Sequence, residues 1–444
     1  MATLFAAVAD DDTGATDLAG MLTLHGMRAI LVMDGVSAAQ LAEWAQGAEA
    51  VVFGAASRSI PARQAYERTR EAVELLRTLQ PRMFYVKYCS TFDSTAEGNI
   101  GPSIDAAMDA LDESFTIAVP ALPVNGRTTY MGHHFVGQQL ISDSVLRLHP
   151  LNPMTNSNLV THLQSQTRRR VGLVPWPIVN AGTAVLHQQL ASMRTEGVEI
   201  AMVDCTGDAD LQTICEVNRS MRLITGSSGL AMFLPLLWKR DGFWTPSDTD
   251  LLPQRRAGGS GFLIVVGSCS EATRRQNEFL EAGGCGAVTL DGLGVLRGQV
   301  DPRRSIPAIV TELSAGRTCL LKSSTGPLAV ENVQRWADEN GMTAIDAGKK
   351  IGAALASVVR EVTAQAQPEG LIVAGGETSG TICRALGFGG LRIGPNIEPG
   401  VPVCVSLTEP RLPVVLKSGN FGSVDFYQRA IASIRSLPVV QQHL

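Results

Sequence analysis

The 444-residue chain reads as an α/β protein: two consecutive α/β lobes with mainly parallel sheets and an active-site cleft expected between them. Three observations carry this reading. Short β-branched or apolar runs alternate with stretches of helical periodicity from end to end, the pattern of strands joined by crossover helices. The alternation pauses across residues 241–261, where DGFWTPSDTD is rich in turn formers and RRAGGSG is flexible and polar. Finally, 44 glycines beside only 5% aromatic residues suit many tight strand-to-helix turns. Residues 1–240 and 262–444 are therefore expected as separate domains, with 241–261 as the linker.

In the first lobe, strands are expected at residues 4–9, 50–53, 84–87, 116–119 and 200–204, and helices over 65–79 and 100–111. After the linker, strands are expected at 261–266, 318–321, 371–374, 403–406 and 414–416, with a helix over 271–280. Interleaving of this kind predicts parallel strands covered on both faces. No internal repeat or low-complexity tract interrupts it.

Composition narrows the function. The chain is 45% hydrophobic and 18% charged, enough apolar residues for a sizeable core, which excludes disorder. Its net charge is −5 and its 37 Lys and Arg form no long runs, so neither nucleic acid nor a membrane surface is an expected partner. No apolar run approaches the roughly eighteen residues of a membrane span. The N-terminal MATLFAAVADDD lacks a basic segment and meets acids early, so it is not expected to be a signal peptide. Eight cysteines spread from Cys89 to Cys404 without a CxxC pair, which suits reduced thiols in a cytoplasmic protein. The seven histidines, His133-His134 included, show no metal-ligand spacing and read as structural or surface residues.

Ligands of open parallel sheets bind where strands end and helices begin. Asp10-Asp11-Asp12-Thr13-Gly14 follows the first strand, and its acids would take a proton from a substrate hydroxyl or help hold a magnesium ion. Capping of the next helix by Asp12 or Thr13 is the structural alternative for one of them. Arg58 follows the second expected strand. Lys87 ends the third, before a hydroxyl-rich loop with Ser90, Thr91, Asp93 and Asn99; Lys with Ser, Thr and Asn donors suits the grip of a carboxylate or polyol. Asn125 and Arg127 come after the fourth. Arg58, Lys87 and Arg127 at successive strand ends would converge on a small anion. In the second lobe, three glycine turns follow strands: Gly267-Ser268-Cys269-Ser270, Gly375-Gly376-Glu377-Thr378 and Lys417-Ser418-Gly419-Asn420. Their backbone amides would lie against phosphates at helix N-termini, as in a nucleotide bed. Neither GxxxxGK[ST], GxGxxG after a first strand, HExxH nor GxSxG occurs. Cys89 and Cys269 lack a His neighbour in sequence, which argues against a thiol nucleophile.

Together these motifs resemble the four-carbon acid sugar kinase family, formerly a domain of unknown function, over roughly residues 3–432. Its ADD-x-TGA segment stands here as Ala9 to Ala15, its KxxST-x-DST loop as Lys87 to Thr95, its GGET as Gly375 to Thr378, and its K-S/P-G-x-F-G as Lys417 to Gly422. Asp12 departs from the apolar residue usual at that place. KYCSTFDST, GNIGP, PALPVNGRT, GSCS and KSGNFG look closest to the 3-oxo-tetronate kinase branch.

The resemblance implies an N-terminal acid-sugar-binding domain and a C-terminal nucleotide-binding domain. The implied reaction is ATP-dependent phosphorylation of the 4-hydroxyl of 3-oxo-tetronate, giving 3-oxo-tetronate 4-phosphate and ADP, with a decarboxylase then releasing dihydroxyacetone phosphate. Asp11 is the first choice for the catalytic acid-base residue and Asp93 the second. Asp10, Arg58, Lys87, Ser90, Asn125 and Arg127 would hold the acid. Gly267, Ser268, Ser270, Gly375, Gly376, Glu377, Thr378, Gly419 and Asn420 would hold ATP. Mg²⁺ should bridge the phosphates, with Glu377 a candidate ligand. A kinase of D-threonate, D-erythronate or L-threonate, and a non-catalytic ligand sensor, are the rival readings. A dehydrogenase would need the missing dinucleotide fingerprint. The apolar composition leaves room for a homodimer.

Overall fold

The computed structural model describes residues 3–148, 152–246, 252–323 and 326–439. The chain divides into two compact units, Met1–Thr249 and Asp250–Leu444. Residues 247–251 of the expected linker lie outside the described residues.

The first unit carries β1 (Phe5–Ala9), β2 (Ala29–Met33), β3 (Ala50–Gly54), β4 (Met83–Lys87), β5 (Thr116–Val119), β6 (Arg127–Tyr130), β7 (His133–Val136), β8 (Gln139–Leu140), β9 (Val171–Val174), β10 (Ile200–Val203) and β11 (Leu223–Gly226). Its main sheet runs in the order β2-β3-β1-β4-β11-β5-β10-β9, and every pairing in it is parallel. All five residues of β1 and of β4 are buried, as expected for strands with helices on both faces. The helix Ala62–Arg77 shows how those helices seat. Ala65, Thr69, Ala72, Val73 and Leu76 are its buried residues, one stripe at helical spacing. Pro61 sets its start, three residues before the first buried position, because the opening turn faces water and leaves no apolar mark. β6, β7 and β8 form a small antiparallel sheet of their own. It is tied to the main sheet's end by paired backbone bonds between Thr129 and Cys205 at 2.8 and 3.0 Å.

The second unit carries β12 (Phe262–Val266), β13 (Gly286–Leu290), β14 (Cys319–Ser323), β15 (Gly370–Ala374), β16 (Gly390–Glu398), β17 (Val401–Ser406) and β18 (Pro413–Lys417), in the order β13-β14-β12-β15-β18-β17-β16. The pairings among β12, β13, β14, β15 and β18 are parallel, and β17 is antiparallel to both neighbours. The reversal follows from connection length. Pro399-Gly400, with Gly400 at φ +79°, turns the chain too tightly for the crossover helix that parallel strands require. Phe262, Ile264, Ile372, Val415, Phe426 and Ile434 meet in this unit's core.

Ile372 is 0% exposed at the centre of that cluster. Ile372→Ala should lower the unfolding free energy by about 2–5 kcal/mol, since a β15 neighbour cannot collapse into the gap. Denaturant melts of the full chain would register this as an earlier transition.

Candidate active site

The loops after β1, β3 and β4 meet around one ion-pair cluster. Asp10 N–H donates to Lys87 O at 3.0 Å, and Asp10 O accepts from the amides of Ser57 and Arg58 at 2.8 and 3.1 Å. The Arg58 side chain then returns to the same residue: Nε donates to Asp10 Oδ2 at 2.8 Å and Nη2 to Oδ1 at 3.0 Å. Its Nη1 lies 2.7 Å from Asp11 Oδ2. Burial opposes ionisation of Asp10, but Arg58 and Lys87 outweigh it and hold the carboxyl below its ordinary value. Asn99 Nδ2 donates to the carbonyls of Ser57, Arg58 and Ile60 at 2.7, 3.0 and 2.7 Å, which locks the Arg58 loop from its other side.

Asp11 is the N-cap of the helix Asp12–Thr23, its Oδ1 accepting from Gly14 N–H at 2.5 Å. Thr13 Oγ1 adds a contact at 3.2 Å to Oδ2. Capping thus falls to Asp11 and not to Asp12 or Thr13. Asp12 is buried against Gly54, where a Cβ would collide with its Oδ1.

The loop after Lys87 is held by histidines. His134 Nε2 donates to Ser90 O at 2.8 Å and Nδ1 accepts from Thr129 Oγ1 at 3.0 Å; burial pushes His134 down to about 4, so the ring is neutral. Farther along, Ser94 Oγ meets His162 Nε2 at 3.1 Å and Gln166 Nε2 at 2.9 Å. Asp93 Oδ1 accepts from Thr91 Oγ1 at 2.6 Å. Asp10, Arg58, Lys87, Asp93, Asn99 and Ser103 are among the residues lining a cavity of about 10 Å³, room for one water. Asp11 is not part of that lining.

The expected convergence of three cations is corrected in part. Arg58 and Lys87 both act on Asp10, but they do not follow successive strands: β1 lies between β3 and β4, and β11 between β4 and β5. Arg58 is spent on the acids after β1. Arg127 opens β6, where Nη1 donates to Asn125 O and Nε is buried without a hydrogen-bond partner among the described residues. Burial pushes the Cys89 thiol up to about 11 and raises that of Cys269 as well, which leaves both protonated and unsuited to nucleophilic attack.

In the second unit, β12, β15 and β18 are neighbours, and the three glycine turns that follow them pack together. A Cβ on Gly267 would run into Thr378 Oγ1, and one on Gly419 into Ser268 Oγ. Several amides expected to face phosphates are already used. Gly267 and Ser268 N–H both donate to Ala374 O at 3.1 Å, and Gly375 N–H to Lys417 O at 2.9 Å. Ser270 N–H reaches Ser268 Oγ at 3.2 Å. The cause is proximity, since adjacent parallel strands end level and their turns bond to each other. What stays open is the start of the helix Gly376–Ala385, which has no side-chain cap; there the amides of Gly376, Glu377 and Thr378 have no intrahelical partner. Glu377 and Asn420 are exposed beside it in sequence and loop.

Sequence reasoning passed over Thr273 and Gln276, and gave Lys417 and Ser270 no part in holding these turns. Lys417, 0% exposed, donates to Thr273 Oγ1, Ser418 O and Gly419 O at 3.2, 3.1 and 3.3 Å. Burial brings its amine down to about 7 against the pull of Glu398. Ser270 Oγ and Thr273 Oγ1 donate to Gly419 O at 2.6 and 2.7 Å. Gln276 Nε2 donates to the carbonyls of Phe421, Gly422 and Ser423 at 3.1, 2.9 and 3.0 Å. Among the described residues, no group of three or more His, Cys, Asp or Glu could hold a metal ion.

Residues 5–234 match a family described as the sugar-binding N-terminal domain, and residues 263–427 one described as the nucleotide-binding C-terminal domain. The chain belongs to the four-carbon acid sugar kinase family. It is 39% identical over 431 residues to the 3-oxo-tetronate kinase of Cupriavidus necator, covering 97% of each chain. It is 38% identical over 435 residues to that of Salmonella typhimurium, covering 95% of this chain and 97% of that one. A solved Salmonella typhimurium LT2 chain, provisionally described as a tRNA synthase, superposes with TM-score 0.79 at 34% identity, covering 96% of this chain and 98% of that one. A Haemophilus influenzae protein of the DUF1537 family superposes with TM-score 0.72 at 30% identity, covering 97% and 100%. These family kinases are phosphotransferases with an alcohol acceptor, and this chain is an enzyme of that kind. Among the described residues, no helix is long and apolar enough to cross a membrane.

Because Asp10 titrates below its ordinary 3.8, it stabilises the fold above that pH and loses the contribution as pH falls through its lowered value. Asp10→Asn should therefore cost about 3 kcal/mol at neutral pH, by leaving Arg58 half-paired. Its melting temperature should also fall less steeply than wild type as pH drops below the ordinary 3.8. Parallel slopes in thermal melts would count against the pairing.

Proposed function

We propose that this chain transfers the γ-phosphoryl group of ATP to the 4-hydroxyl of 3-oxo-tetronate, releasing 3-oxo-tetronate 4-phosphate and ADP in the cytoplasm. The observation that carries the reading is the cluster of acids with Arg58 and Lys87 around the ends of β1 and β4, in the unit that matches a sugar-binding domain. Relatives of that name along nearly the whole chain support it.

In this reading Lys87, Ser90, Asn125 and Arg127 receive the acid, while Asp10 and Asp11 fix Arg58. The hydroxyl proton goes to Asp93. Both Asp11 oxygens are engaged, by Gly14 and Thr13 on one side and Arg58 on the other, whereas Asp93 lines the cavity and carries the single Thr91 bond on Oδ1. A general base needs a lone pair facing the substrate. ATP is held in the second unit, with its phosphates at the start of the helix Gly376–Ala385, where the dipole favours anions. Glu377, exposed at that helix start, would supply the hard oxygen that Mg²⁺ prefers. Bound there, Mg²⁺ neutralises phosphate charge; positioning does most of the remaining work in phosphoryl transfer.

Purified protein with Mg·ATP should release ADP with 3-oxo-tetronate and not with D-threonate, L-threonate or D-erythronate. Turnover of a hydroxy acid alone would overturn the substrate assignment, and silence on all four with ATP binding intact would favour a sensor. Asp93→Asn should lower kcat by about 10²–10⁴-fold with ATP binding retained. A larger loss in Asp11→Asn, with Asp93→Asn near wild type, would return the proton to Asp11.

A further inference from the structure

Asp17 closes the acidic segment after β1, and the mechanism above leaves it without a task. It sits on the helix Asp12–Thr23, three residues after Gly14 and so on the same face. It is 6% exposed, and its Oδ1 is buried with no hydrogen-bond partner among the described residues. Its Oδ2 lies 4.0 Å from Lys87 Nζ, the one ion pair Lys87 makes among the described residues. Lys87 is itself only 4% exposed. Its ammonium occupies the space over Gly14, beside Asp11 Oδ1, where an added Cβ would collide with both.

The 4.0 Å separation decides what this pair does. It is short enough for strong attraction in a buried setting and too long for a hydrogen bond. Asp17 therefore balances the charge of Lys87 without consuming its N–H donors. Arg58 is the opposite case: three of its nitrogens already face Asp10 and Asp11. Arg58 keeps two of its five N–H donors, but two carboxylates already claim its charge; Lys87 keeps all three donors and faces a single, more distant carboxylate.

We propose that Asp17 is a positioning residue, holding the Lys87 ammonium over Gly14 so that its free N–H donors meet the carboxylate of the four-carbon acid. This rests on the reading that the first unit binds that acid. The effect is confined to acid binding, since Asp17 touches neither the transferred group nor the nucleotide.

The pair has a pH signature. Burial pushes Asp17 up to about 6, against the pull of Lys87. The other titratable groups facing it are Asp11, which raises it further, and Tyr85, which burial keeps neutral; Ser228 favours its charged form. Above about 6 the carboxylate is charged and the lysine is held; below it Asp17 takes a proton and the hold is lost.

The test compares wild type, Asp17→Asn and Asp17→Glu on two readouts: Kd for 3-oxo-tetronate by calorimetry without nucleotide, and steady-state KM and kcat. Asp17→Asn should weaken acid binding about tenfold, a difference of about 1.4 kcal/mol. Its KM for ATP should stay within about twofold, and Asp17→Glu should recover part of the loss. Wild-type Kd should rise as pH falls below about 6, and in Asp17→Asn the same curve should be flat. In a Lys87→Met background, Asp17→Asn should add nothing. Unchanged acid affinity in folded Asp17→Asn would overturn the proposal, as would an equal rise in the KM for ATP. If Asp17→Asn fails to fold, the wild-type pH curve decides, and a flat one overturns it. Binding without turnover in wild type would sink the kinase reading and leave this comparison standing.

Discussion

A half-buried guanidinium between two carboxylates ties three strand ends into one structure. Arg58 bonds Asp10 through two nitrogens and faces Asp11 with the third, while the backbone of its own loop bonds to Asp10 O. Side chain and main chain thus fix the same junction twice. Removing one member of such a pair is unfavourable by about 3–5 kcal/mol, because the other is left charged and buried. The junction therefore sets the geometry on which everything nearby depends: the cap at Asp11, the course of β1 into its helix, and the place of Lys87 across from it. It also claims three of the five N–H donors of Arg58, which leaves that side chain less to offer a ligand than its charge suggests.

The second unit solves its problem with backbone instead of charge. Its three glycine turns are packed so closely that side chains would collide at Gly267 and Gly419, and several of their amides bond to neighbouring strand ends and turns. Gly375, at φ +129°, adopts a conformation other residues avoid and so turns the chain straight from β15 into its helix. The unspent N–H groups at that helix start have a built-in preference for anions. Lys417 supports the arrangement from beneath, bonding carbonyls of the turn that follows it.

The fold was legible because parallel strands are continuous apolar runs separated by helical periodicity, and β1, β4, β5, β12 and β15 all show it. Strands were harder to see where that signature fails. β13 alternates partly exposed residues at a sheet edge, and β16 includes Gly394 and Pro395, which read as a turn. The loops of the proposed site stood out because the acids, lysine and glycines fall at strand ends, where open sheets bind ligands. The site's pairings did not. Sequence shows Arg58 as a cation near an anion site, and only the interposition of β1 reveals that Asp10 and Asp11 claim it first. Asn99 and Gln276 act on carbonyls far off in the chain, a role that depends on approach in space and leaves no local pattern.

Both expected ligands are anions, yet the chain carries a net charge of −5 and gathers acids where the acid sugar would bind. Bulk charge therefore does not recruit them. Recognition has to rest on a few donors whose partners are deliberately remote: the Lys87 ammonium held at 4.0 Å by Asp17, the buried Nε of Arg127, and the amides at the Gly376 helix start. Lys87 and the Arg127 Nε lie where water is scarce, so a hydrogen bond or charge contact there gains from low local dielectric. Such donors are unfavourable while empty and satisfied only by a ligand of the right shape. That is a better basis for choosing one four-carbon acid among near-identical ones than a strong positive field, which would attract every anion alike.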